Sequence, residues 1–307
     1  MEIRVYNLGD KSVGVVPTHR KSNFEPELSS FISKNWDEHH KGWTDSYVAS
    51  IGNLSFAKDS LNIQAEYMRY SEIAGMVKAI EGGYSFAPDS IPGLSVGIYM
   101  VTSDDKIILP RRSSSVKHAP NMYNPFSGWM ASMNIASRQK CEHSKFAHDP
   151  RLYNYYWQAI KETMEESQLL PLAEFEIEKS PASLVNGLAH SFNYMFEFMA
   201  KTHLRANNVR KRILNEQEEF AEGRKEHDII AAVNFDHLTQ LLRNQPDLHQ
   251  EDPVSFEPSD DRELILLDDC IGGLVTNFEN ITGKKRPVDL IDFLREGGIN
   301  ISYLDYE

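Results

Sequence analysis

Three glutamates that share one helical surface, in the run Ala159-Ile160-Lys161-Glu162-Thr163-Met164-Glu165-Glu166-Ser167-Gln168-Leu169, constrain this chain more than any other feature. Glu162 to Glu165 is a step of three and Glu162 to Glu166 a step of four, so on an α-helix all three carboxylates point to one side. A like-charge pair at that spacing costs an isolated helix roughly 0.2–0.5 kcal/mol. The other face carries Tyr156, Ala159, Ile160, Thr163 and Met164 and suits a core. A hard divalent cation with oxygen ligands would offset the repulsion. Without a ligand the same run is a solvated acidic face, so the neighbouring sequence has to decide.

Upstream, Gly93 to Thr102 is an apolar, β-rich run, Ser103-Asp104-Asp105-Lys106 is a polar turn, and Ile107 to Ser113 returns as a second strand. Together they spell a hairpin. Arg111 and Arg112 stand at its end, and since adjacent strand residues face opposite sides, at most one of them turns toward a given site. A guanidinium fork there suits a phosphate oxygen. Downstream, His190 to Ala200 alternates and is rich in aromatics, Glu226 to Phe235 reads as a further strand, and Asp236 to Leu242 is helical.

At the glutamates the sequence resembles the Nudix hydrolase family, whose box closes on R-E-U-x-E-E-x-G-U, with U an aliphatic residue. The run Lys161 to Leu169 keeps all three glutamates, while Lys161 stands in place of the arginine, Thr163 of the aliphatic residue and Gln168 of the glycine. Tyr153 falls where the box has an earlier glutamate. The box glycine is matched by Gly128 in Pro125-Phe126-Ser127-Gly128-Trp129, further upstream than the family spacing, so an insertion around Arg138 to Asp149 is expected to loop out at the rim of the site. Hairpin, glycine strand, glutamate helix, late strand and short helix follow in the family's order. The resemblance implies an α+β fold, with a mixed β-sheet between helices. It also implies that Glu162, Glu165 and Glu166 bind Mg²⁺ or Mn²⁺ and help activate the attacking water. Glu226 would lie near the metals, and Arg111, Arg112 and Gly128 would contact substrate. The activity implied is cleavage of a pyrophosphate bond in a small nucleotide-like substrate, a nucleoside diphosphate linked to another moiety. The departures from the box keep a second possibility open, a Nudix-fold nucleotide-binding or regulatory module without turnover.

Length and composition suggest an N-terminal α+β module over residues 1–90, a Nudix-like catalytic domain over 91–245, and an acidic loop with C-terminal helices over 246–307 that pack on the core. In the first, a helix from Pro26 through Phe31 and Trp36 sits among strand-like segments at 3–6, 13–17, 46–51 and 61–65, and the Gly/Pro-rich tract 82–93 reads as a linker. Beyond the core, 244–261 reads as a polar loop, and Arg262–Phe278 and Pro287–Arg295 as helices. A net charge of −13 argues against non-specific nucleic-acid or membrane binding. No apolar stretch approaches the ~20 residues of a membrane helix. Two cysteines, Cys141 and Cys270, and no leader fit a reducing cytoplasm. Cys141, His143 and His148 fall short of a structural zinc set. The basic cluster Arg210-Lys211-Arg212 reads as part of a helix salt-bridged to Glu216, Glu218 and Glu219 rather than as a phosphate grip. Tyr153, Tyr155, Tyr156 and Trp157 read as core or as cover of the insertion. Nothing in the sequence specifies an oligomeric state.

Overall fold

The computed structural model describes residues 1–9, 11–18, 26–39, 47–81, 93–114, 119–130, 155–187, 193–219, 227–253, 255–256 and 258–304. The expected linker up to residue 92, the insertion at 138–149, Cys141, His143, His148, Tyr153 and Glu226 lie outside them. The strands are β1 (Glu2–Asn7), β2 (Ser12–Thr18), β3 (Tyr47–Ala57), β4 (Ser60–Arg69), β5 (Gly93–Val101), β6 (Lys106–Arg112), β7 (Phe126–Trp129), β8 (Phe175–Ile177), β9 (Ser183–Gly187), β10 (Asn193–Thr202), β11 (His227–Asn234) and β12 (Asn300–Tyr303). The helices are α1 (Pro26–His39), α2 (Tyr70–Glu81), α3 (Tyr155–Ser167), α4 (Ala206–Glu219), α5 (Phe235–Leu248), α6 (Asp268–Thr276), α7 (Phe278–Thr282) and α8 (Leu290–Glu296).

All the strands join one mixed sheet, in the order β12-β1-β9-β10-β5-β3-β4-β2, with β6 and β7 also paired to β5, β11 to β6, and β8 to β10. Helices cover both faces, which is the α+β class expected. On one face Val96, Ile98, Phe196 and Phe198 pack against Ala159 of α3 and Val209 and Ile213 of α4. On the other, Tyr99, Val185 and Met199 pack against Leu241 of α5 and Ile271 and Leu274 of α6. The strands before β5 share this sheet: β1 pairs with β9 and β12, and β3 meets β5 at Ser50–Gly93. A separate apolar cluster joins α1 and α2 to β3 and β4 through Ile32, Val48, Met68 and Ile73.

The β5–β6 hairpin forms as its pattern predicts, with Met100 opposite Ile108 and Val101 opposite Ile107. Its tip uses Asp105 at φ 56°, an αL position that aspartate tolerates. The other turn acid, Asp104, accepts from the Ala206 N–H at 2.8 Å and so caps α4.

The C-terminal third departs from the sequence expectation in three places. First, α5 runs on into the expected loop as far as Leu248, with Pro246 inside its last turn. Gln245, fully buried, holds that turn in place by donating to the Leu241 and Leu264 carbonyls and accepting from Leu266 N–H. Second, the helix expected from Arg262 begins only at Asp268, because Leu264–Leu267 lie extended along Tyr123. Tyr123 N–H donates to the Ile265 carbonyl at 2.8 Å and Leu267 N–H to the Tyr123 carbonyl at 2.9 Å. Four buried apolar residues in a row fit a strand-like core segment as well as a helix, and here the backbone partner decides. Third, the last helix starts at Leu290 rather than Pro287, and a strand, β12, follows it parallel to β1. Among the described residues no helix is long and apolar enough to cross a membrane.

Candidate functional site

Helix α3 lies across β7 and β5. Its inner face buries Ala159, Ile160 and Thr163, while Met164 packs at the margin of the same core. Ile160 alone, at 5% exposure, contributes about 1.5–3 kcal/mol by leaving water. Tyr155 stacks on Phe198 and meets Phe196 at a tilt, so it is core cover as expected. That packing turns the three glutamates toward the β6–β7–β11 end of the sheet, each into a different setting.

Glu162 faces Gly128. A Cβ on that glycine would lie 2.1 Å from the Glu162 carboxyl carbon, so the carboxylate fills the space a side chain would need. Gln158 Nε2 donates to the same carboxylate, and Lys161 Nζ lies 3.0 Å from it. Lys161 also reaches Glu165 at 2.9 Å. Glu165 is the outward member of the set, its side chain 60% exposed.

Glu166 is the inward member, with a side chain only 6% exposed. The Ser127 N–H donates to its Oε1 at 3.0 Å, and Oε2 lies 2.8 Å from Nε2 of His227, itself buried. Burial, then the charge of Glu162, pushes the Glu166 carboxyl well above the usual range, and the Ser127 bond and the Arg112 charge pull part of the way back. Ser127 is steadied in turn by Asn124, which donates to its Oγ at 2.7 Å.

The two arginines diverge. Arg112 sits opposite His227 in the β6–β11 register and brings its charge to Glu166. Arg111 lies a bulge away and forms a bidentate pair with Asp228 at 2.7 and 2.9 Å. The structure therefore brings together Glu162, Glu166, Gly128 and Arg112, with Glu165 at the margin, and commits the Arg111 fork to Asp228. Sequence reasoning missed Ser127, Gln158 and His227 as partners of the glutamates. Only the position of Ser127 beside Gly128 carried any signal. Arg212 of α4 pairs with Glu174 at 2.6 Å, from outside its own helix, while the side chains of Glu216, Glu218 and Glu219, the expected partners, lie outside the described residues.

Oxygen-rich donors of this kind suit Mg²⁺ or Mn²⁺. Among the described residues, however, no three carboxylate, histidine or cysteine side chains converge as metal ligands. Lys161 and His227 supply the compensating contacts in this arrangement. A cleft of about 690 Å³ lined in part by Asn7, Lys179, Asn277, Arg286 and Tyr303 lies elsewhere and includes none of the expected site residues.

No protein-family model matches the chain, and no curated protein matches it. Among solved structures it is similar to a hydrolase of the Nudix family from Clostridium perfringens, at 12% identity and a TM-score of 0.28, over 48% of this chain and 83% of that one. It is also similar to a protein from Deinococcus radiodurans, at 14% identity and a TM-score of 0.29, over 48% of this chain and 70% of that one. Likeness at these scores assigns no family, and the chemistry has to be argued from the residues of this chain.

Proposed function

We propose that the face formed by Glu162, Glu165 and Glu166 is the centre of a divalent-metal-dependent hydrolase of the Nudix type. Its substrate would be a small nucleotide-like molecule, a nucleoside diphosphate linked to another moiety, cleaved at the pyrophosphate bond. One observation carries most weight: a strand glycine and the N–H beside it dock directly on two carboxylates of one helix, Gly128 on Glu162 and Ser127 on Glu166. A core helix gains nothing from placing two acids against a sheet; a site for a cation does.

Glu162, Glu165 and Glu166 would hold Mg²⁺ or Mn²⁺, with Glu226 a further donor. When bound, the ion lowers the pKa of a water and neutralises charge on the pyrophosphate. The rest falls to the chain itself. Ser127 N–H fixes the Glu166 carboxylate, and Gly128 leaves room for Glu162 beside the strand. Arg112 would bring its charge from the Glu166 side toward a phosphate oxygen, and Arg111 pairs with Asp228 and braces the end of β6. One of the carboxylates acts as general base.

A second reading, a nucleotide-binding or regulatory module without turnover, is favoured by Lys161, which already lies on both Glu162 and Glu165. The protein should be incubated with Mg²⁺ or Mn²⁺ and a panel of nucleotide sugars, ADP-ribose, dinucleotides and triphosphates, with product release and melting temperature both followed. Metal-dependent release supports the hydrolase. Stabilisation by a nucleotide without release supports the module, and no response of either kind removes both.

A further inference from the structure

We infer that His227 is a positioning residue for Glu166, an inference that rests on the metal-dependent reading above. Two strands hold the two oxygens of one carboxylate: Ser127 N–H of β7 at 3.0 Å from Oε1, and His227 Nε2 of β11 at 2.8 Å from Oε2. A glutamate carboxyl turns easily about its last bond, since that torsion is broad. Held at both oxygens, its plane is set before any ligand arrives. Glu165, 60% exposed, has no comparable burial.

The backbone explains how the histidine comes to be there. His227 opens β11 directly opposite Arg112, and the register then slips, so that Ile229 and not Asp228 faces Arg111. Asp228 is thereby released from the ladder and grips the Arg111 guanidinium, while His227 stays on the Glu166 side, buried. With its proton on Nε2, the ring donates to Oε2 and fixes the carboxylate without adding a charge.

Hydrogen-bond partners behind metal-binding carboxylates are typically worth 10–100-fold in metal affinity or activity. Mn²⁺ binding by titration calorimetry and by thermal shift should be compared in wild type, His227→Leu, which fills the space without a donor, and His227→Gln, which keeps an N–H donor. The Leu variant should bind Mn²⁺ about 10–100-fold more weakly, and the Gln variant should recover most of the loss. A Leu variant that binds as tightly as wild type overturns the inference, and so does a Gln variant that shows no recovery. Should the Leu variant not fold, ¹⁵N spectra of the wild-type ring with and without Mg²⁺ decide: the Nε2-protonated tautomer is expected, and the Nδ1-protonated tautomer overturns the role. Wild-type protein with no metal response removes the metal-dependent reading and the role of His227 together; a responsive wild type with an unaffected Leu variant removes only the latter.

Discussion

Gly128 and Glu162 meet across β7 and α3 so closely that a Cβ on the glycine would lie 2.1 Å from the glutamate's carboxyl carbon. The obstructing atoms are the far end of a flexible side chain, so Gly128→Ala should cost only about 1 kcal/mol of stability, the low end of overpacking. The carboxylate, however, has to leave the strand. Displacements of this size in a catalytic group cost on the order of 10²-fold in rate. The expected result is a small fall in melting temperature with a large loss of metal-dependent hydrolysis and a weaker shift on adding Mn²⁺. A variant that unfolds, or one with full activity, contradicts the placement of Glu162 in the site.

Glu166→Gln should separate stability from function. An amide of the same shape can still accept from Ser127 N–H and, once the His227 ring takes its other tautomer, donate to Nε2, and it removes a charge that burial and Glu162 both disfavour. Relief of the helix repulsion alone amounts to roughly a few tenths of a kcal/mol. Melting in metal-free buffer should therefore be unchanged or higher. Added Mg²⁺ or Mn²⁺ should stabilise less, and hydrolysis should fall by about 10²–10³. Equal activity in the variant would remove Glu166 from the mechanism.

The elements that could be read from sequence are those whose signal is local. The β5–β6 hairpin announces itself by two apolar runs around Ser103-Asp104-Asp105-Lys106, and α3 by its split between acidic and apolar faces. What escaped depends on contacts far apart in the chain. β12 exists because Glu2 pairs with Asn300 and Val5 with Tyr303, and no pattern within Asn300–Tyr303 foretells a partner at the other terminus. Leu264–Leu267 has the apolarity of a helix, and Tyr123 and Gln245, both distant, keep it extended. The same holds in the site. The glutamates could be placed on one face by counting, and Gly128 by its resemblance to the box glycine. His227 could not, because its meeting with Glu166 is made by a β-bulge and by the packing of α3 on the sheet.

Gln168 takes the left-handed conformation, φ 58°, at the end of α3, where the family box has glycine. Its N–H donates to the Met164 carbonyl at 2.9 Å and its side-chain amide to the Glu165 carbonyl at 2.7 Å, which partly offsets the backbone penalty. A non-glycine residue in this region pays roughly 1–2 kcal/mol, and glycine loses about 0.5–1 kcal/mol of that gain through its larger unfolded-state freedom. Gln168→Gly should thus stabilise by up to about 1 kcal/mol in chemical denaturation. A destabilised variant would mean that the side-chain bond to Glu165 outweighs the strain.

Glu197 supplies a pH dependence unconnected with the glutamate helix. It is fully buried on β10, beside Tyr99 and Asp269 and pressed between Gly97 and Gly273, where a Cβ would come within 3.0 and 2.8 Å of its carboxyl group. Burial, then the charge of Asp269, pushes its carboxyl well above the usual range, and the nearby Tyr99 hydroxyl, which donates to the Cys270 carbonyl at 3.2 Å, only partly opposes this. The sign follows from linkage. Below the ordinary carboxyl range both folded and unfolded chains carry the proton, and Glu197 imposes no penalty. Above that range the unfolded chain releases the proton while the folded chain keeps it, so stability falls as pH rises, by up to about 1.4 kcal/mol per pH unit, until the raised pKa is passed. Glu197→Gln removes the titrating proton and keeps the shape. The stability of the variant relative to wild type should be largest at pH 7–8 and should shrink steadily toward pH 4. Urea unfolding at several pH values measures this directly, and a difference that does not change with pH would show that Glu197 is ionised in the folded protein with its charge compensated inside the core.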